Sequence, residues 1–139
     1  MGTLTAKQIA LLEQAKRFFV GHTEAVGVLL PDYHGEPMFI KSGNEGGPWG
    51  GTQRGGIPRM EGWAFTRGGF SQGNIATHVE GHASAIFWQR RFRRGLLLVD
   101  RPMCSICSQN LANTLPPGSE LRVLSEAEGL TIVRASHGY

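Results

Sequence analysis

The chain has 139 residues, 40% of them hydrophobic and 18% charged, which suits one globular domain with a real core and argues against a disordered chain. Two cysteines are too few for a disulfide framework, and no apolar run approaches the roughly 20 residues that span a bilayer. Fourteen Lys and Arg against eleven Asp and Glu give a formal charge of +3, a weak pointer to a polyanionic partner.

In chain order, the opening MGTLTAKQIALLEQAKRFF mixes charge with apolar residues and reads as neither signal peptide nor anchor. Instead it predicts a helix over residues 3–19, with a Thr5–Gln8 capping box, Ile9, Leu12, Ala15 and Phe19 at helical spacing, and Gly21 as the stop. Two β-rich runs follow, AVGVLLP (25–31) and MFIKS (38–42), and the turn residues from Pro31 to Gly35 predict that they pair as an antiparallel hairpin. From 43 to 73 no period survives, and roughly half of the 20 glycines fall there, in a segment far longer than the usual loop of about 4–6 residues.

Periodicity returns with ATHVEGHASAIFWQRRFRR (76–94), a predicted helix with Val79, Ala83, Ile86 and Phe87 on one face and cationic residues at its end. Trp88 and Phe92 fall within it as core or flanking residues, and Gly81 interrupts it. LLLVD (96–100) reads as a strand buried on both faces, 104–115 as a helix ended by Pro116-Pro117-Gly118, and ELRVL (120–124) and LTIVR (130–134) as strands joined by an acidic turn. This order predicts an α/β sandwich around one sheet of about five strands, with residues 1–139 forming a single domain without repeats.

Two fragments carry candidate chemistry: His78-Val79-Glu80 opening one helix and Cys104-Ser105-Ile106-Cys107 opening the next. Imidazole and thiolates are good zinc ligands, and a helix N-terminus stabilises the thiolate form. One histidine and two cysteines make three ligands, leaving a fourth tetrahedral position for water, which is the pattern of a catalytic rather than a structural zinc. Glu80, at the mouth of its helix, would then manage the proton of that water, whose pKa zinc lowers to roughly 7. Two other readings stand beside this one. The C-x-x-C pair could be a redox couple, which leaves the H-x-E fragment unexplained. His78 and His82, four apart on one helical face, could close a Cys2His2 structural site, which leaves Glu80 without a role. HVEGH is not the zinc-protease motif, which needs glutamate directly after the first histidine.

H-x-E followed by P-C-x-x-C is the signature of zinc-dependent nucleobase deaminases. HVEGHASA (78–85), the C-x-x-C fragment, NTLPPGSELRVL (113–124) and the hairpin ending MFIKSG (38–43) resemble the DddA-like bacterial DNA cytosine deaminase toxins, over roughly residues 21–125. The resemblance implies a cytidine deaminase-like three-layer α/β/α sandwich with a central mixed sheet. It also implies that His78, Cys104 and Cys107 hold Zn2+, that Glu80 is the general acid/base, and that Ser42 and Gly43 approach the substrate. The chain departs from the pattern in three places. Met103 separates Pro102 from Cys104, His82 stands where glutamine is expected, and the loop at 43–73 is longer than the resemblance leads one to expect.

Nucleic-acid contacts have candidates of their own. Arg90, Arg91, Arg93 and Arg94 could meet phosphates, or serve only the helix dipole and solubility. Trp49, Trp63, Phe65 and Phe70 alternate with Arg54, Arg59 and Arg67 in the long loop, a composition suited to stacking unpaired bases, or to pinning the loop by packing. His82, Arg90, Arg91, Trp49, Trp63 and Phe65 are therefore candidate substrate contacts beside Ser42 and Gly43. The expectation is a monomeric, zinc-dependent deaminase of cytosine in DNA, single strands somewhat preferred. By resemblance it is the toxin cargo of a larger secreted protein, acting in the target-cell cytoplasm and neutralised by a cognate immunity protein. A zinc-stabilised, non-catalytic nucleic-acid-binding module and a deaminase of RNA or free nucleosides are the alternatives.

Overall fold

A computed structural model describes residues 4–42, 78–103, 108, 111–112 and 114–135. Gly43, Trp49, Trp63 and Phe65 of the long loop, and both Cys104 and Cys107, lie outside the described residues.

Helix α1 (Ala6–Phe19) opens on the expected capping box: the Gln8 N–H donates to Thr5 Oγ1 at 3.1 Å, and the Thr5 N–H donates to Gln8 Oε1 at 3.0 Å. It starts at Ala6 rather than at residue 3, because the capping Thr5 keeps an extended backbone. Beyond its end Gly21 takes a φ of +85°, which a residue without Cβ adopts at no steric cost. Strands β1 (Val26–Pro31) and β2 (Met38–Lys41) then form the predicted antiparallel hairpin. The remaining strands are β3 (Arg94–Val99), β4 (Glu120–Ser125) and β5 (Gly129–Arg134). They complete an open five-stranded mixed sheet in the order β2-β1-β3-β4-β5, in which only β3 and β4 run parallel.

The second helix, α2 (Val79–Arg90), ends four residues earlier than the sequence predicts. Arg91 turns left-handed at φ 59°, and the Phe92 N–H donates back to the Phe87 carbonyl at 3.0 Å. This αL ending is secured by Phe92, whose ring packs edge-on against the fully buried Phe87 with centroids 6.0 Å apart. Arg94 is therefore the first residue of β3, not the last of a helix. Of the helix expected over 104–115, Ser108, Leu111, Ala112 and Thr114 are described and helical.

The two helices occupy opposite faces of the sheet. Leu12 and Ala15 of α1 cluster with Val28, Leu30, Leu96, Leu98 and Leu124, while Val79, Ala83, Ile86 and Phe87 of α2 cluster with Leu29, Leu97, Val99, Leu121 and Val123. Alternation along β1, β3 and β4 sorts odd positions to one cluster and even positions to the other. Both faces being covered, β3 is buried from Gly95 to Val99, as its continuous apolar run predicts.

Two strand glycines set how closely α2 approaches. A Cβ on Gly27 would stand 2.7 Å from Val79 Cγ1, and one on Gly95 would stand 2.9 Å from Phe87 Cζ. Neither neighbour has room to retreat, Phe87 being 0% and Val79 2% exposed. Gly95→Ala is therefore expected to destabilise the fold by about 1–3 kcal/mol through overpacking. Thermal denaturation checks this: the melting point should fall by several degrees, and an unchanged value would contradict the close approach.

A polar network ties the β1–β2 turn to β4 and β5. Glu120 accepts from the Tyr33 hydroxyl and from Arg122 Nε at 2.8 Å, and forms an ion pair with Arg134, whose Nε lies 3.2 Å away. The Tyr33 hydroxyl, with Arg122 and Arg134 behind it, holds the Glu120 carboxyl below its ordinary value of 4.5. The folded chain thus takes up that proton less readily than the unfolded chain. The network contributes fully above about pH 4.5 and is lost as pH falls through the lowered folded value. Glu120→Gln is expected to be less stable near neutrality and to lose stability less steeply on acidification below pH 4.5, as acid titrations of the melting point would show.

Candidate functional site

The sheet has two ends, and its connections bring Ser42, His78 and Glu80 to one of them. At this end β1 begins, β2 finishes and β3 finishes: the Ser42 N–H donates to the Ala25 carbonyl at 2.9 Å, and Asp100 N–H to the Val26 carbonyl at 3.2 Å. Gly27, one residue into β1, lies against Val79, so the start of α2 stands at this same end. It is also the carboxyl end of the parallel pair β3–β4, the side on which open α/β sheets receive ligands.

His78 is the N-cap of α2, with an extended backbone (φ −80°, ψ 159°), and its carbonyl accepts the His82 N–H at 2.9 Å. Its side chain makes no capping hydrogen bond to the helix, and the residue is only half-buried. Two residues on, Glu80 lies in the first turn and is 7% exposed. The positive end of the helix dipole favours its carboxylate there. His82, one turn further, is fully buried within the α2 layer.

A buried clamp fixes α2 against the segment that follows the cysteines. Ser84 Oγ and Thr114 Oγ1 are 2.7 Å apart, Thr114 Oγ1 donates to the Leu111 carbonyl at 2.8 Å, and Trp88 Nε1 donates to the Thr114 carbonyl at 2.6 Å. Ser84 and Thr114 are 0% and 1% exposed, so these bonds satisfy groups that would otherwise be costly to bury. The pairing was not foreseeable from the sequence, since its two halves lie 30 residues apart.

The chain leaving β3 is also held at this end. Asp100 Oδ1 accepts from the Val26 N–H at 3.2 Å, and Arg101 donates to Asp100 through Nε at 3.2 Å and Nη2 at 3.0 Å. The Asp100 carboxylate raises the Arg101 guanidinium above its already high value, keeping it charged. The Met103 N–H donates to Glu128 Oε1 at 3.2 Å, placing the last described residue before Cys104 beside the β4–β5 turn.

Ser42, His78 and Glu80 are thus brought to one end of the sheet. Arg90 and Arg91 are not: they close the other end of α2, about 18 Å away along its axis. Among the described residues, cations that do come to the His78 end include Lys41, at the end of β2, and Arg101, half exposed, which sequence reading missed. Its only sequence signal is a charge directly after a buried strand.

Among the described residues no cluster of three or more His, Cys, Asp or Glu could hold a metal ion. Of the expected ligand set only His78 is described. It lies half-buried at the start of α2. Among the described residues no helix is long and apolar enough to cross a membrane. No protein-family model matches the chain, and no curated protein matches it.

Proposed function

We propose that the chain is a zinc-dependent cytosine deaminase acting on DNA, with single strands preferred, built on a cytidine deaminase-like three-layer α/β/α sandwich. One observation carries the reading. His78 and Glu80 open α2 at the carboxyl end of the β3–β4 pair, the same end to which β3 leads the chain toward Cys104-x-x-Cys107. A buried glutamate two residues after a half-buried histidine at a helix start supplies the two residue types that hydrolytic deamination needs.

His78, Cys104 and Cys107 would hold the zinc, which when bound supplies a Lewis acid that makes water nucleophilic near neutral pH. Glu80 would take one proton of the attacking water and pass it to N3 of cytosine, then take the second from the new C4 hydroxyl and pass it to the departing amine. A C–O bond forms, the C4–N bond breaks, and uracil and ammonia leave. Burial of Glu80 keeps bulk water from competing for these protons. Ser42 borders the same end and would position the base, and Arg101 offers a charge for a neighbouring phosphate. The target base has to leave any stack, a cost of a few kcal/mol that single strands largely avoid. The same resemblance supports a role as toxin cargo acting in a target-cell cytoplasm, with an immunity protein as its partner.

Incubation with single- and double-stranded DNA and with RNA, followed by sequencing, tests the reading. Cytosine-to-uracil conversion in DNA is expected. Conversion confined to RNA or free nucleosides would transfer the activity to that substrate, and zinc-dependent binding without conversion would favour the non-catalytic module.

A further inference from the structure

The opposite end of the sheet gathers a cluster of guanidinium groups. There β1 turns into β2 and β3 and β4 begin, and a cavity of about 380 Å³ opens among Tyr33, Arg93, Arg94, Gly118, Glu120 and Arg122. Arg90 and Arg91 at the end of α2 and Arg134 at the end of β5 extend the same cationic end, against the carboxylates of Asp32, Glu36 and Glu120.

The guanidinium groups are braced from within. Arg122 donates to Glu120 through Nε, while Arg134 and Arg94 form ion pairs, with Arg134 Nε 3.2 Å from Glu120 Oε1 and Arg94 Nε 3.3 Å from Asp32 Oδ1. Arg122 also stacks on Tyr33, with Cζ 4.3 Å from the ring centroid. A fork anchored at Nε has its plane fixed, so its Nη donors meet an oxyanion with little further ordering. Arg93 adds a guanidinium at the mouth, where a Cβ on Gly118 would stand 3.6 Å from its Nη2. The cavity is lined by three guanidinium groups and one carboxylate, Glu120, so it carries excess positive charge.

We propose that this pocket holds a backbone phosphate of a nucleic acid, as a contact separate from the His78 end. Three guanidinium groups lining one cavity match a tetrahedral oxyanion better than they match a single carboxylate. Arg94 and Arg134 are 62% and 73% exposed at the side chain, and the cations continue past the cavity. That band suits a polymer of repeated charges rather than one small ion. The two ends of the sheet are about 20 Å apart, so the phosphate held here belongs to a nucleotide well removed from the reacting base. The proposal rests on the nucleic-acid part of the functional reading but not on catalysis.

The test is binding of a fluorescent oligothymidylate, which has no cytosine to deaminate, across a range of salt concentrations. Arg93→Ala/Arg94→Ala is expected to weaken binding roughly tenfold at low salt and to reduce the salt slope by about 0.7, the value for one lost phosphate contact on a single strand. Its melting point should stay at that of the parent. The charge-matched Lys16→Ala/Arg17→Ala, on α1 away from the pocket, should change the slope much less. No binding by the parent, parental binding by the pocket variant, or an equal loss in the control would each overturn the site. Displacement of the oligonucleotide by poly-glutamate at equal charge would reassign the pocket to an acidic protein, and displacement by micromolar pyrophosphate would reassign it to a small phosphate. Because no step depends on deamination, failure of the catalytic reading leaves this measurement intact.

Discussion

Glu80→Gln is expected to lower cytosine deamination by about 10²–10⁴-fold while leaving folding and zinc content at parental levels. The substitution keeps the shape of the side chain and its capacity to accept a hydrogen bond, but removes its capacity to carry a proton. Glu80 is 7% exposed and sits in the first turn of α2, so no bulk water stands ready to replace it. The neutral amide loses the favourable interaction of a carboxylate with the helix dipole, worth about 0.3–1 kcal/mol, which is too little to unfold the chain. Conversion measured by sequencing, with metal content and melting point measured on the same preparation, separates the two effects. Turnover within about tenfold of the parent would remove Glu80 from the mechanism. A collapse of zinc content would instead make it part of the metal's support.

His78→Ala and Cys107→Ala are each expected to lose the zinc and all deamination, whereas His82→Gln keeps both. The contrast follows from placement. His78 lies half-buried at the start of α2, while His82 lies fully buried one turn further on. Structural zinc in the Cys2His2 arrangement would need both histidines, so loss of metal from His82→Gln together with a silent Glu80→Gln would establish the closed site. Metal analysis after dialysis reads the first result, and the sequencing assay reads the second. Glutamine is chosen for position 82 because it retains polar volume at a position where alanine would leave a cavity in an enclosed layer.

Much of the fold was legible because its signals are local. The Thr5–Gln8 capping box, the turn residues between Pro31 and Gly35, and the unbroken LLLV run each specify their own conformation within a few residues, and all three appear as expected. The end of α2 was misread for the same reason. QRRFRR continues a helical pattern in sequence, and what stops it is the fit of Phe92 against Phe87, a contact that exists only once the sheet is beneath them. Gly27 and Gly95 did carry a signal, since glycine inside a strand often marks a close backbone approach. Which helix approaches them was not in the pattern.

The sequence by itself determined the element types, the hairpin, and the candidate ligand and proton-transfer residues, because these depend on side-chain chemistry and spacings of two to five residues. Tertiary structure alone decided which of them share a location. It put Ser42, His78, Glu80 and Arg101 at one end of the sheet and carried Arg90 to Arg94 to the other, because an α-helix of 12 residues separates its ends by about 18 Å whatever charges it bears. It also assembled Tyr33, Glu120, Arg122 and Arg134 into one braced network. Those residues are up to about a hundred positions apart, and hydrogen bonding across a sheet depends on strand order and register, which no local pattern encodes.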